Sequence, residues 1–231
     1  MKFGILFSGG KDSTLALHKA VKKGEEVVCL ITVISENRES YMFHTPNIDI
    51  TRLQAEALGL PLIRKMTEGK REEELEDLKK AIIHAKKKFK IEGIISGAVE
   101  SVYQTERIKK ICDGLRLFCL NPLWKMNQRE LLEEIVRENF KVIISGVFAY
   151  PLDSSWLGKE IDAKIIEKLV KLSEEYGLSP SGEGGEIETT VLDAPLFKER
   201  IKILDYEVDA KGNSGIFTIK KAMLVKKEVI E

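Results

Sequence analysis

The chain has 231 residues, 43% hydrophobic and 32% charged, which suits a soluble globular protein of one large domain or one medium and one small. Lys+Arg and Asp+Glu number 37 each, so the formal net charge is +0 and the basic excess of a general nucleic-acid binder is missing. Cys29, Cys112 and Cys119 lack CxxC spacing and supply neither a metal quartet nor a disulfide frame; Cys29, in an apolar run, reads as a buried structural thiol. No run of about 18 apolar residues could cross a membrane, and Met1 opens directly into a strand pattern, leaving no room for a signal peptide. The expected location is therefore the cytoplasm.

Phe3 to Phe7 is a compact apolar run, as a fully buried parallel strand would be, and Ser8-Gly9-Gly10 breaks it. Lys11-Asp12-Ser13 then leads into a helix pattern. Strand, glycine turn and helix start make a phosphate cradle: the glycines let backbone approach an anion, and first-turn N–H groups point at it. Lys11 adds a full positive charge, while Ser8 and Ser13 add hydroxyl donors. Asp12 beside a phosphate is repulsive unless a divalent cation lies between them, which marks it as a Mg²⁺ contact. The alternative is an ordinary glycine-containing turn between strand and helix. The spacing is not that of the Walker loop. SGGKDS instead resembles the signature of the PP-loop ATP pyrophosphatases. That resemblance implies that ATP is cleaved between its α and β phosphates, with pyrophosphate held in this loop.

Gly24 ends the first helix and Val27 to Ile34 is a second strand, completing a right-handed βαβ unit. Ligands of such sheets sit at the carboxyl ends of the strands, so Thr32 and Val33 are expected to face the nucleotide. Tyr41 to Asn47 (YMFHTPN) has no periodicity and reads as a loop carrying Phe43 and His44 to the adenine or substrate, or as a plain surface loop. Ile50 to Leu58 is a helix ended by Gly59, and Leu60 to Lys65 a third strand. Glu72 to Phe89 is a long helix with a stripe at Leu75, Leu78, Ile82 and Ala85 and a solvated charged face. A fourth strand from Ile91 ends in Ser96-Gly97-Ala98, small enough to wall a ribose or α-phosphate. Glu100, Gln104 and Arg107 share a face if the next helix starts early enough, with Ile108, Ile111 and Leu115 inward. There Arg107 closes on a phosphate or carboxylate, or belongs to a surface ladder of ion pairs.

Phe118 to Trp124 is a short strand running into a proline turn, where a boundary is expected between residues 1–121 and 122–231. Gln128 to Asn139 is a helix, Lys141 to Ala149 a strand, and Ile161 to Tyr176 a helix. Residues 177–190, rich in glycine and glutamate, cannot be helical; they read as a flexible acidic loop or as carboxylates placed to bind Mg²⁺ or ammonium. Ile201 to Val208 and Gly215 to Val225 alternate as a hairpin around Lys211-Gly212-Asn213.

Over residues 182–197, GEGGEIETTVLDAPLF resembles the second signature of one PP-loop branch, the diphthine–ammonia ligases. YMFHTPN, the Tyr103-Gln104 and Arg107 segment and Pro122-Leu123-Trp124 match the same branch in order. The resemblance implies an α/β fold: a parallel five-stranded, Rossmann-like sheet of the HUP type sandwiched by helices, then a smaller α/β domain. It implies a ligase that adenylates the diphthine carboxylate on translation elongation factor 2 with ATP and Mg²⁺, then amidates it with ammonium. Ser8, Gly9, Gly10, Lys11 and Ser13 would hold pyrophosphate and Asp12 its Mg²⁺. Thr32, Val33, Phe43, His44, Ser96 and Gly97 would line the nucleotide. Glu100, Tyr103 and Gln104 would meet substrate, with Arg107 closing on it. Glu183 and Glu186 would orient or deprotonate ammonium, under a lid at 179–190. A sulfur-transferring tRNA modifier would bring paired cysteines and a basic surface, both missing here. A small-molecule ligase, a nucleotide sensor without chemistry, and a homodimer stay open.

Overall fold

A computed structural model of the chain describes residues 1–36 and 46–227. Phe43 and His44 lie outside the described residues. Five parallel strands, β1 (Lys2–Leu6), β2 (Glu26–Ser35), β3 (Leu62–Thr67), β4 (Gly93–Ile95) and β5 (Phe118–Leu120), form one sheet in the order β3-β2-β1-β4-β5. Helices α1 (Lys11–Lys22), α2 (Thr51–Leu58), α3 (Arg71–Phe89) and α4 (Val102–Gly114) alternate with them. Both faces of this sheet are covered. Ile31, Ile94, Leu78, Ile82 and Ile108 share one buried cluster, and Phe3, Ile5, Leu15 and Leu17 belong to another. Such burial explains why β1, β2 and β4 read as unbroken apolar runs. Strand order reverses between β1 and β4, and in sheets of this class that crevice receives the ligand.

The second sheet is antiparallel, with β6 (Lys141–Val147), β7 (Ile187–Asp193), β8 (Glu199–Lys211) and β9 (Ser214–Lys226) in the order β7-β6-β9-β8. The helices α5 (Gln128–Arg137) and α6 (Ala163–Tyr176) pack with it. Its core is continuous with that of the first sheet: Leu15 and Leu17 of α1 are buried in one cluster with Leu131, Leu132 and Ile135 of α5 and Val142 and Val191 of the strands. Ion pairs frame that junction, Lys19 to Glu134 at 2.7 Å and Lys22 to Glu138 at 2.8 Å, with His18 bonded to Glu138 at 3.0 Å. The interface of helix α1 with the second sheet holds the phosphate-loop turn fixed in relation to β7.

Two local expectations change. Helix α4 begins at Val102, because the Ser101 hydroxyl caps it by accepting from the Gln104 amide at 3.3 Å. Glu100 therefore precedes the helix and does not share a face with Gln104 and Arg107. Along α4, Ile108 faces inward as expected, with Ile111 and Leu115 half-buried against the same cluster and Cys112 buried beside them. On α3 the stripe is Leu78, Ala81, Ile82 and Ala85, with Leu75 half-buried. Cys29 lies fully inside the sheet, and burial pushes its thiol up to about 12, so it is an inert packing residue.

Candidate active site

At the carboxyl end of β1 the chain turns sharply through Ser8-Gly9-Gly10 and enters α1, whose N-cap is Gly10 in an extended conformation. Gly9 sits at φ +80°, a left-handed conformation that glycine adopts without strain. Its carbonyl accepts from the Val191 amide at 3.0 Å and from Gln54 Nε2 at 2.9 Å; the same Gln54 nitrogen donates to the Val191 carbonyl at 2.8 Å. One fully buried glutamine on α2 thus staples the turn to β7. Inside the turn, Ser13 Oγ lies 3.2 Å from both Ser8 Oγ and the Gly10 carbonyl, and accepts from the Ser8 amide at 3.3 Å. The Lys11 amide donates to Thr189 Oγ1 at 3.1 Å, so one first-turn donor is already used by the second sheet. The other wall comes from the end of β4. A Cβ on Gly97 would stand 2.8 Å from the Asp12 carbonyl carbon and from the Ser13 nitrogen, so only glycine allows this approach.

These elements enclose a cavity of about 640 Å³ between the two sheets. Ser8, Gly10, Lys11, Asp12 and Ser13 line its floor, Ser96, Gly97, Ser101 and Gln104 one side, and Glu183, Glu188, Thr189 and Phe148 the other. From β2 it receives Ile31 and Val33. Thr32 is not on the wall: it points away, fully buried, and its hydroxyl donates to the Phe7 carbonyl at 2.6 Å. That follows from the two-residue period of a strand, which turns neighbouring side chains to opposite faces.

The charged centre is Lys11. It is 3% exposed, and its Nζ lies 2.8 Å from Asp12 Oδ2. Burial pulls its ammonium downward, but Asp12, Glu183 and Glu188 more than offset this and hold it above the usual lysine range. The converse acts on the acids. Glu183 is pushed up to about 7 by burial first and then by Asp12, and Glu188 to about 7 chiefly by burial, against the pull of Lys11. Two carboxyl groups poised near neutrality beside a fixed ammonium can exchange protons with a bound nitrogen or oxygen nucleophile. Asp12 Oδ1 is buried without a hydrogen-bond partner. Mg²⁺ commonly takes one or two protein carboxylates and completes its shell with phosphate and water, so this free oxygen fits such an ion. No cluster of three acidic, His or Cys ligands exists among the described residues, so phosphate oxygens would have to supply most of the shell.

Several expected residues lie elsewhere. Glu186 is not on the cavity wall; its Oε1 accepts from the Ser179 amide at 3.0 Å, which folds the glycine loop back on itself. The carboxylate beside Lys11 on this wall is Glu188, the second residue of β7, which a reading of 177–190 as one continuous loop does not single out. The signal was present in the alternation of Ile187, Thr189 and Val191. Arg107 and Tyr103 also stand off the wall and pair with each other, the guanidinium 3.3 Å over the ring. Glu100 is exposed; its amide donates to Glu183 Oε2 at 3.4 Å and its carboxylate accepts from Gln128 at 3.1 Å.

The family model described as the diphthamide synthase N-terminal domain matches residues 1–117, and that of the diphthamide synthase C-terminal domain matches 127–225. The diphthine–ammonia ligase of Bos taurus is 38% identical over 227 residues, covering 90% of this chain and 85% of that protein. That of Homo sapiens is 37% identical over 227 residues, with the same 90% and 85% coverage. Among solved structures, a predicted subunit of tRNA methyltransferase from Methanocaldococcus jannaschii superposes with a TM-score of 0.44 at 19% identity, over 84% of this chain and 98% of that one. No helix among the described residues is long and apolar enough to cross a membrane. With both halves matched in order and the relatives aligned along most of their length, the chain belongs to the diphthamide synthase family.

Proposed function

We propose that the chain is a carbon–nitrogen ligase that amidates diphthine on translation elongation factor 2, consuming ATP and ammonium and releasing AMP and pyrophosphate. The observation that carries this is the buried Lys11 ammonium, set among Asp12, Glu183 and Glu188 where the phosphate-loop turn of one sheet meets β7 of the other. Carboxylates do not exchange oxide for nitrogen unaided, since oxide is a poor leaving group; adenylation replaces it with AMP. A carboxylate oxygen attacks the α-phosphorus of ATP, forming the O–P bond, while the bridging bond to the β-phosphate breaks and pyrophosphate leaves. Ser8, Gly10, Lys11 and Ser13 bind the outer phosphates, and the Lys11 charge neutralises the departing group as it forms. Mg²⁺ held by Asp12 would supply further neutralisation of phosphate charge.

In the second half-reaction nitrogen attacks the acyl carbon, the C–N bond forms and AMP departs. Ammonium must first lose a proton. Glu183 and Glu188 carry that duty, one orienting the cation and the other accepting the proton, since both titrate near neutrality. The apolar walls at Ile31, Val33, Ile108 and Ile216 limit water, which would hydrolyse the acyl-adenylate. A substrate that belongs to the translation machinery puts the enzyme in the cytoplasm. The test is mass spectrometry of diphthine-bearing elongation factor 2 after incubation with the protein, ATP, Mg²⁺ and ammonium. The acid-to-amide mass change accompanied by AMP is expected; ADP, or no amide, overturns the proposal.

A further inference from the structure

Glu183 is held from both of its ends, and the two holds converge on one side chain. Its backbone amide donates to Ser179 Oγ at 2.9 Å, and its carboxylate Oε2 accepts from the Glu100 amide at 3.4 Å. Ser179 Oγ in turn donates to Gln128 Oε1 at 2.5 Å, and Gln128 Nε2 donates to the Glu100 carboxylate at 3.1 Å. Gln128 Oε1 also accepts from the Ser181 hydroxyl at 2.9 Å and the Ser181 amide at 3.2 Å. That backbone N–H can only donate, so it identifies the atom it meets as the amide oxygen and leaves the nitrogen for Glu100. The glutamine is itself fixed. It is the first residue of α5, directly after the cap Asn127, whose Oδ1 accepts from the Arg129 and Glu130 amides. The turn before it is tied to the β4–α4 connection by the Lys125 amide donating to the Val99 carbonyl at 2.8 Å.

We propose, on the basis of the amidation function above, that Gln128 is a positioning residue for the nitrogen-transfer half-reaction: it locks the 179–183 loop against the Glu100 segment so that Glu183 faces Lys11 across the cavity. Only an amide serves both branches, because one end must accept from the serine loop while the other donates to a carboxylate. The groups facing Glu183 are Lys11 and Asp12 from α1, Glu188 from β7 and Glu100 ahead of α4. Among the described residues the phosphate-loop turn shares no hydrogen bond with Gln128; its ties run to Thr189, Gln54 and Val191, so loss of Gln128 leaves the backbone of that turn in place.

Two readouts test this. Gln128→Ala removes both branches; Gln128→Glu keeps an acceptor for the serines but loses the donor and sets a second carboxylate against Glu100. A glutamyl endopeptidase, with fragments mapped by mass spectrometry, is expected to cut after Glu183 or Glu186 roughly 10-fold faster in Gln128→Ala than in wild type, and in Gln128→Glu at near the wild-type rate. In steady-state amidation both variants are expected to raise KM for ammonium roughly 10-fold or more while KM for ATP stays within about 2-fold, as a displaced group costs one step and not the other. Unchanged proteolysis and unchanged ammonium dependence in Gln128→Ala overturn the proposal. So does a parallel loss in ATP use and melting temperature, which marks a purely structural residue. A wild-type protein that makes no amide refutes the amidation function instead, and the proteolysis contrast then decides the anchoring role by itself.

Discussion

Lys11 is a charge that the fold buries beside its own counter-charges, and the consequences are specific. A buried ammonium is tolerated only with partners, and here Asp12, Glu183 and Glu188 supply them. In the proposed reaction Lys11 is the charge that meets the departing pyrophosphate, so with Lys11→Ala AMP release with diphthine-bearing factor should fall by a factor of about 100 or more. Glu188 carries a different prediction. Its folded value of about 7 lies above the ordinary carboxyl value, so the folded state holds a proton that the unfolded chain has lost. Its contribution to stability is fully present below the ordinary value of 4.5 and is lost as pH rises through about 7. Glu188→Gln keeps the neutral form at every pH, so the ligand-free variant should gain on the order of 1–3 kcal/mol over wild type at pH 8 and little at pH 4.5. Denaturant melts at the two pH values measure the difference. Equal gains at both would show that Glu188 is not the titrating group.

At the scale of elements, the site depends on backbone approaches that side chains would prevent. An alanine Cβ at Gly9 would stand 2.3 Å from Gln54 Oε1 on a backbone already at φ +80°, and Gln54 cannot yield because its nitrogen is committed to Gly9 and Val191. Gly9→Ala should therefore destabilise the fold by about 1–3 kcal/mol, read by chemical denaturation. Gly97→Ala acts on function. Its Cβ meets the backbone of Asp12 and Ser13 and pushes the first turn of α1 away from β4. KM for ATP should rise roughly tenfold with little loss of stability, because the turn can shift but then misplaces Lys11. A variant with unaltered ATP dependence would contradict the placement of nucleotide phosphates at this junction.

Across the whole molecule, the two sheets are bound by one apolar core. Leu15 and Leu17 of α1 lose their covering if α5 and the second sheet are removed, and Lys19 and Lys22 lose Glu134 and Glu138. A fragment of residues 1–121 should consequently melt without a cooperative transition and bind a hydrophobic dye, while the full chain unfolds in one step. A cooperative melt of the fragment by circular dichroism would show that the parallel sheet is self-sufficient. The same continuity explains the site's position. The carboxyl ends of β1 and β4 make only half of the cavity; β7 and the glycine loop, far away in sequence, close it with Thr189, Glu183 and Glu188.

The sequence by itself determined the parallel sheet and the phosphate-loop turn, because both are local. A buried parallel strand is an unbroken apolar run, and a strand–glycine–helix junction announces itself within ten or so residues. Ser8, Gly10, Lys11, Asp12, Ser13, Ser96, Gly97 and Glu183 all line the cavity. What only the tertiary structure decided was which polar side chains converge from distant segments. Composition could not separate Glu186 from Glu188, since what separates them is where the strand begins: Glu186 ends the loop, and Glu188 lies inside the strand that opens at Ile187. Nor could spacing set the start of α4, which the Ser101 cap fixes and which takes Glu100 off the helix. Gln54 and Gln128 were silent in the sequence for the same reason: a glutamine shows its role only when the backbone groups and serines it bridges, more than a hundred and more than fifty residues away, are folded against it.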